Sequence, residues 1–567
     1  MPRIVPLSLA FLALCMSGSH ELQPAPGGSS SSPSDEDVLK AARIGIDGPS
    51  LLNYLRKQMV APADREKIES LIRQLGSEVF EAREAATAAL IEWGAPVKPY
   101  LRQTLESLRR ASDADPEVLR RAEECLRRIG DQSHDADAVL SAVLRTLARL
   151  KTEGSVEVIL AYLPGAPSER LLEEIRSALT SLAADDAKAV SRLLEAINDK
   201  TVLRRAVAAA ALCRTGSAPA REAVRKLLRD PEALVRHRVA VEMALAGEKD
   251  AIPVLVEVIG ERALPQAQAY QAEQLLCRLA GEQAPATTLT NDPTARSRCR
   301  DAWMAWWKEH GAEVDPKVLA EPPPLLGYTL IVLLDDRRVL ELDAQNQVRW
   351  ELKGIAFPLD AQLLPGGRIL LAEQEANRVT ERSLKGDILW QWRVMSPLMA
   401  QRLDNGNTFV ATRERIVEVD RDGKEVFSHE PPNGESMMRA QRLASGQIAM
   451  ITTDGQATPF RRLDPTGTSE LASFPVRVRT SGGRIEVLPN LHVLVPEKDD
   501  HRVAEYDTRG RVVHQIRVRE PIAAVRLPNG NTLVTSMADL RAVELDKDGN
   551  EVWQYKLATK VTRAFRR

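Results

Sequence analysis

Residues 403–412 read LDNGNTFVAT, and residues 527–536 repeat the phrase as LPNGNTLVTS. A leucine, an Asn-Gly turn and a run of Thr and apolar residues is the pattern of a hairpin turn leading into a strand, with Asn-Gly supplying left-handed geometry. Weaker copies are LLGYTLIV (325–332), LPGGRILLA (364–372), LASGQIAMI (443–451) and LPNLHVLVP (488–496). In chain order the first leucines of the six copies are Leu325, Leu364, Leu403, Leu443, Leu488 and Leu527, a nearly constant step except for the longer one from Leu443 to Leu488. The phrase is therefore the punctuation of a sixfold repeat, not a binding loop used twice.

A second phrase follows in each unit, as in RIVEVDRDGKEVF (415–427) and RAVELDKDGNEVW (541–553). Asp420, Gly423 and Phe427, or Asp546, Gly549 and Trp553, mark its core: an aspartate-capped turn closed by glycine, then a large apolar residue to pack between sheets. Six strand-rich units of about 40 residues predict a six-bladed all-β propeller over 325–567. Units two, three, four and six carry an alanine just ahead of the key leucine, namely Ala361, Ala400, Ala440 and Ala524. Prolines 322–324 occupy that place in unit one, and VTRAFRR (561–567), with Ala564, supplies the missing strand. The C-terminal strand is thus expected to close the ring, which removes its open sheet edges.

This part resembles the pyrroloquinoline-quinone-repeat (PQQ-like) propellers in its D-x-x-G-x-x-x-W phrase, and NHL-type and arylsulfotransferase-type propellers in its count of six. The resemblance implies architecture first. Quinoprotein dehydrogenases of that superfamily usually have eight blades and a cofactor with calcium, often beside a cysteine pair; here there are six units and no cysteine after Cys299.

Upstream, from 37 to 313, the period becomes helical. EKIESLIRQL (66–75), EAREAATAALIEW (81–93), PVKPYLRQTLESL (96–108) and PEVLRRAEECLRRI (116–129) place apolar residues three and four apart. VLRRAVAAAAL (202–212) aligns with VRHRVAVEMAL (235–245), setting Val202 on Val235 and Arg205 on Arg238. Alternating helices with small-residue faces stack as an α-solenoid, because one pair cannot bury its own apolar stripe. Most of 65–280 resembles bacterial HEAT-repeat proteins, which implies a curved protein-binding scaffold. Trp303, Trp306 and Trp307 read as a buried end cap of the last repeat, and 314–324 as a proline-stiffened linker.

Residues 1–19 have the form of a secretory signal peptide, with Arg3, an apolar run from Ile4 to Met16 and small residues before a cut after Ser19. Leu12-Ala13-Leu14-Cys15 is a rival lipobox that would anchor the chain through Cys15, although Leu14 is bulky for its position. Residues 20–36 form a Gly/Ser/Pro linker, and no later segment is apolar enough to span a membrane. The expected location is periplasmic or extracellular. An oxidising compartment makes Cys277 and Cys299 a candidate disulfide, since both fall on helices joined by a short polar connection; two buried thiols is the other reading, as for Cys125 and Cys213.

The formal net charge of −2, from 77 basic and 79 acidic residues, gives no pull toward nucleic acid. No catalytic residue set, metal cluster or cofactor motif emerges. The propeller histidines, His429, His492, His501 and His514, read as solvated loop residues, with His514 in a tryptophan position. The strongest repeated polar signal is Arg-x-x-Glu: Arg338 with Glu341, Arg378 with Glu381, Arg415 with Glu418, Arg502 with Glu505, and Arg541 with Glu544. Unit four breaks it with Pro459 and Arg462. These residues read as blade-to-blade ion pairs and hydrogen bonds, with rings holding a ligand as the alternative. The expected function is an exported, non-enzymatic scaffold that binds a protein or an extended polymer such as a glycan. The alternative is an enzyme or small-molecule binder using the propeller channel, of the arylsulfotransferase-like or quinone-binding type.

Overall fold

The computed structural model describes residues 34–567 except 61–63, 111–114, 132–135, 166–167, 321–325 and 433. The expected leader with Cys15 lies outside the described residues, as does most of the 20–36 linker; helix starts at Asp35, with Ser34 as its cap.

Sixteen α-helices come first among the described residues: α1 (Asp35–Ala41), α2 (Gly48–Lys57), α3 (Arg65–Gln74), α4 (Phe80–Trp93), α5 (Lys98–Arg110), α6 (Pro116–Asp131), α7 (Ala136–Leu150), α8 (Ser155–Tyr162), α9 (Glu169–Ala183), α10 (Ala187–Ala196), α11 (Val202–Arg214), α12 (Ala218–Arg225), α13 (Ala233–Leu245), α14 (Ala251–Ile259), α15 (Gln266–Ala280) and α16 (Pro293–His310). One layer runs α7, α9, α11, α13, α15, each helix packed on the next; α2, α8, α10 and α12 form the layer behind, and α14 packs on α16. Small residues make this spacing possible: Ala206 to Ala211 of α11 are all buried between α9 and α13.

Two expectations are corrected. The repeat is shorter than the sequence alignment implied: α11 begins at Val202 and α13 at Ala233, not Val235, so that Arg205 is equivalent to Arg236, not Arg238. Gly216 and Gly247, both with positive φ, follow the two helices in the same register. Arg205 donates to the Asp199 carbonyl ahead of its own helix and to the Asp230 carboxylate of the next repeat, while Arg236 repeats this with the Asp230 carbonyl and Glu261. A low-complexity Val/Arg/Ala pattern permits a slide along the helix that these polar ties forbid. Helices α3–α6 also do not continue the stack. They surround a core of their own, from Ile68 to Ile129, while α1 and α2 pack directly on α7 and α8.

Trp303 and Trp306 are buried, packed edge to face with ring centroids 5.4 Å apart. Within the expected linker, Pro316–Leu319 forms a 3-10 turn that buries Leu319 against the helices.

The remaining strands make six four-stranded antiparallel blades. Blade one holds β1 (Thr329–Leu333), β2 (Arg338–Leu342) and β3 (Val348–Lys353). Blade two is β4 (Pro358–Leu364), β5 (Arg368–Glu373), β6 (Arg378–Ser383) and β7 (Ile388–Arg393). Blade three is β8 (Met399–Arg402), β9 (Thr408–Ala411), β10 (Ile416–Val419) and β11 (Glu425–His429); blade four is β12 (Ser436–Arg442), β13 (Ile448–Thr453), β14 (Pro459–Leu463) and β15 (Glu470–Pro475). Blade five is β16 (Glu486–Val487), β17 (Val493–Glu497), β18 (Arg502–Tyr506) and β19 (Val512–Arg517); blade six is β20 (Pro521–Arg526), β21 (Thr532–Ser536), β22 (Arg541–Leu545) and β23 (Glu551–Lys556). The last strand, β24 (Val561–Arg566), completes blade one as expected, pairing Ala564 with Ile331.

The Asn-Gly phrase is a type I turn followed by a left-handed glycine. Gly406 and Gly530 have φ of 87°, whereas Asn405 and Asn529 do not enter the left-handed region. The Gly406 N–H donates to the Leu403 carbonyl, and the Leu403 N–H to that of Asn407. Glycine alone, not the Asn-Gly pair, supplies the turn geometry.

Candidate functional site

The five Arg-x-x-Glu motifs do not pair within themselves among the described residues. Each arginine stands at the start of a blade's third strand in ring order, Arg415 just ahead of it, and turns outward or back along its own sheet: Arg415 holds Glu425, Arg541 holds Glu551, and Arg502 holds Glu497. Each glutamate lies deeper, and all but Glu341 gather donors from their own hairpin and from the next blade's inner strand. Glu418 accepts from Asn407 at 2.7 Å and faces Arg442 of blade four at 3.7 Å. Glu544 accepts from Asn531 at 2.7 Å and from Arg566 of β24. Glu505 takes His492 and Arg526, both at 2.8 Å, and Glu381 takes Arg402 at 2.8 Å.

The second asparagine of the opening phrase is thus a glutamate donor, replaced by His492 in blade five and Arg368 in blade two. Where the pair is missing, both sides change. Arg462 stands in the glutamate position of blade four, and Val487 in the arginine position of blade five. Leu363 replaces the arginine opposite Glu341, whose donors are instead Arg349, Trp350 and Arg567.

Glu381 differs from the other four in gathering three buried arginines, and it joins the two halves of the molecule, as Glu341 does through Arg349 and Glu282. It is fully buried and binds Arg368 at 3.1 Å, Arg402 at 2.8 Å and Arg421 at 2.5 Å. Burial alone would raise its pKa, but Arg421, Arg368 and Arg402 together hold the carboxyl far below the ordinary glutamate range. The same arginines face α15 and the segment after it. Arg368 donates to the Cys277 Sγ at 3.2 Å and lies 3.7 Å from Glu273, while Arg421 donates to the Leu289 carbonyl at 3.0 Å. Around this centre, Thr288 donates to the Leu389 carbonyl, the Asn291 N–H to Asp422, and Arg349 to Glu282. The turns of blades two and three press on the same helix: a Cβ on Gly366 would come within 2.9 Å of the Cys277 Sγ, and one on Gly406 within 2.9 Å of Tyr270 Cγ.

Cys277 and Cys299 are both free thiols here, so the candidate disulfide is not formed in this structure. Their sulfurs are engaged separately, Cys277 by Arg368, and Cys299 by Thr287 at 3.4 Å and Glu273 at 3.6 Å. Burial pushes the Cys277 thiol up to about 12. Cys125 and Cys213 are buried thiols as well.

The propeller channel is crossed from the face opposite α15. The chain between β15 and β16 enters it, with Gly482 donating to the Met438 carbonyl and Gly483 to that of Leu398. Arg484 then spans the channel to Asp360 at 3.1 Å, Gln362 at 3.2 Å and the Ala400 carbonyl at 2.9 Å. From blade four, Arg439 reaches the Ile522 carbonyl in blade six at 2.7 Å. The sequence carried one signal of this plug: the step from Leu443 to Leu488, between units four and five, is longer than every other step of the repeat. The four histidines do not converge. His492 sits on Glu505, His501 accepts from the Glu520 N–H, half-buried His429 abuts Gly467, and His514 lies on β19 of blade five. No group of residues able to hold a metal ion occurs among the described residues.

On the hairpin face, α9 and α15 stand over the ends of blades two to four and border an open cleft of about 1460 Å³. Its propeller side carries Gln362, Gln401 and Gln441, at equivalent positions of three successive inner strands. Gln401 pairs with the main chain of blade four, accepting from the Arg442 N–H at 3.0 Å and donating to its carbonyl at 2.9 Å, and Gln362 accepts from the Arg402 N–H. The helical side offers Gln268, Gln271 and Gln274 with Glu169, Glu173 and Arg170. Arg170 donates to the Ser445 carbonyl at 3.4 Å across the cleft. No sequence motif marked this site, because one wall comes from α9 and α15 and the other from blades two to four, segments far apart along the chain.

No protein-family model matches the chain, and no curated protein matches it in sequence. Among solved structures it is similar to a streptogramin B lyase, with 16% identity over 42% of this chain and 86% of that one and a TM-score of 0.32. A virginiamycin B lyase from Staphylococcus aureus follows at 11% identity, 36% and 70% coverage and a TM-score of 0.28. The calcium-binding protein regucalcin from Agrobacterium tumefaciens stands at 10%, 36%, 76% and 0.29. The likeness is one of fold.

Proposed function

We propose that the chain is an exported, non-enzymatic binding protein: a HEAT-like helical stack joined to a PQQ-like propeller, which holds a protein or an extended polymer in the cleft between them. The observation that carries this reading is the way the cleft is built. Both modules line it, and a buried ionic joint around Glu381 fixes their relation, so the walls are preorganised and little ordering entropy is lost when a chain enters. Its lining of amides and paired charges suits hydrogen bonding to a polar backbone. The crossing of the channel by Arg484 and Arg439 weighs against the channel-enzyme alternative, since the axis is already filled by protein groups.

The test is co-purification from the exporting cell with the full chain and with Gln271→Trp, a change at an exposed cleft position of α15. A partner recovered by the parent chain and reduced at least tenfold by the variant is expected. Equal recovery by both chains, or no partner with either, would refute the reading.

A further inference from the structure

A second, smaller cavity of about 210 Å³ lies between the inner strands of blades one and two, against the channel. Leu330, Ala361, Leu363 and Phe565 give it apolar walls, and Arg484, Arg566 and Arg567 reach its edge. Arg484 and Arg567 each spend two nitrogens on the protein and keep one terminal nitrogen with no acceptor among the described residues. Arg484 uses Nε and Nη2 for Asp360, Gln362 and the Ala400 carbonyl, leaving Nη1. Arg567 uses Nε and Nη2 on Glu341, leaving Nη1, whereas the Arg566 guanidinium is turned away to Thr329 and, on blade six, to Glu544 and the Trp553 ring.

The charge around the cavity is also out of balance. Arg484 and Arg563 share the single carboxylate of Asp360, whereas Arg349 and Arg567 are matched by Glu341 and Glu282. Arg439, buried as well, bonds to Thr480 and the Ile522 carbonyl and to no carboxylate among the described residues. Glu486, the other acid of the channel, is pushed up to about 7 by burial and so offers only part of a charge at neutral pH. Buried cations without matching anions are unfavourable, and guanidinium forks match carboxylate and phosphate groups.

We propose that this cavity is a binding site for a small organic anion with a compact apolar body, its acid group taken by the free nitrogens of Arg484 and Arg567 and its body held against Phe565 and Leu363. The volume suits about one ring and is below the usual range for drug-sized ligands. The site adjoins the cleft through Gln362 and Leu363 but does not depend on what the cleft binds.

Calorimetric titration of the full chain with benzoate tests it, against benzamide, which keeps the ring without the charge, and acetate, which keeps the charge without the ring. Saturable benzoate binding at least tenfold tighter than either control is expected, lost in Arg484→Gln. Leu363→Phe fills the cavity while keeping every charge, and it decides the matter where Arg484→Gln fails to fold; it too is expected to abolish binding. Benzoate binding no tighter than the controls, or binding unchanged in folded Leu363→Phe, would overturn the proposal.

Discussion

Replacing Glu381 with glutamine tests whether the joint between helices and propeller is ionic in origin. The carboxylate holds Arg368, Arg402 and Arg421 in a site from which water is excluded, and two of those arginines also bond α15 or the segment after it. Glutamine keeps the shape but removes the charge and turns an N–H₂ group toward a guanidinium. Breaking a buried ionic group by removing one partner costs about 3–5 kcal/mol, because the charges left behind cannot be solvated. Glu544→Gln is the control at the same position of blade six, where Asn529, Asn531 and Arg566 remain and no helical segment is involved; about 1–2 kcal/mol is expected there.

Urea unfolding followed by tryptophan fluorescence, with limited trypsin digestion to detect separation of the modules, gives both numbers. Glu381→Gln should lower the midpoint of the first transition far more than Glu544→Gln and expose the joint to cleavage, with little dependence on salt because the group is buried. Equal effects of the two variants would refute the argument. The sign with pH follows from the depressed folded pKa: the contribution of Glu381 is complete above the unfolded value near 4.5 and is lost only as pH falls through the much lower folded value.

Glu486 has the opposite sign. Its folded pKa is raised to about 7, so stability should fall as pH rises from about 4.5 to 7, by at most roughly 3 kcal/mol, and Glu486→Gln should flatten that slope in a pH series of urea melts. The two copies of the Asn-Gly turn supply a matched pair: Gly406→Ala and Gly530→Ala both force alanine to a φ of 87°, costing about 1 kcal/mol, but only the first drives a methyl into buried Tyr270. Gly406→Ala should cost about 1–3 kcal/mol more by denaturation, and equal losses would show that the turn does not bear on the joint.

The repeat phrases made the propeller legible because each blade solves one local problem with the same residues. A turn needs a positive-φ glycine, an aspartate caps it, and alternating apolar residues face the neighbouring sheets. Ring closure by β24 was readable for the same reason, from a strand missing at one end and present at the other. The helical half was legible as helices but not in phase, since alanine and valine repeat too freely to fix a register, and the Asp199, Asp230 and Glu261 ties that do so are single polar residues in loops. That α3–α6 leave the stack was not readable at all, as their amphipathic pattern is the same whether they cover one core or another. The Arg-x-x-Glu signal pointed to blade contacts but not to the division of labour within it, in which the glutamate meets the next blade and the arginine its own sheet.

Local pattern alone, then, determined the element types, the count of six and the closing strand, because turns and strand faces are decided within a few residues. The joint at Glu381, the plug at Arg484 and the cleft under α9 and α15 belong to the tertiary structure. Each sets charges or amides from distant segments side by side, and the energy of those contacts depends on a burial that exists only once the helices have docked on the ring.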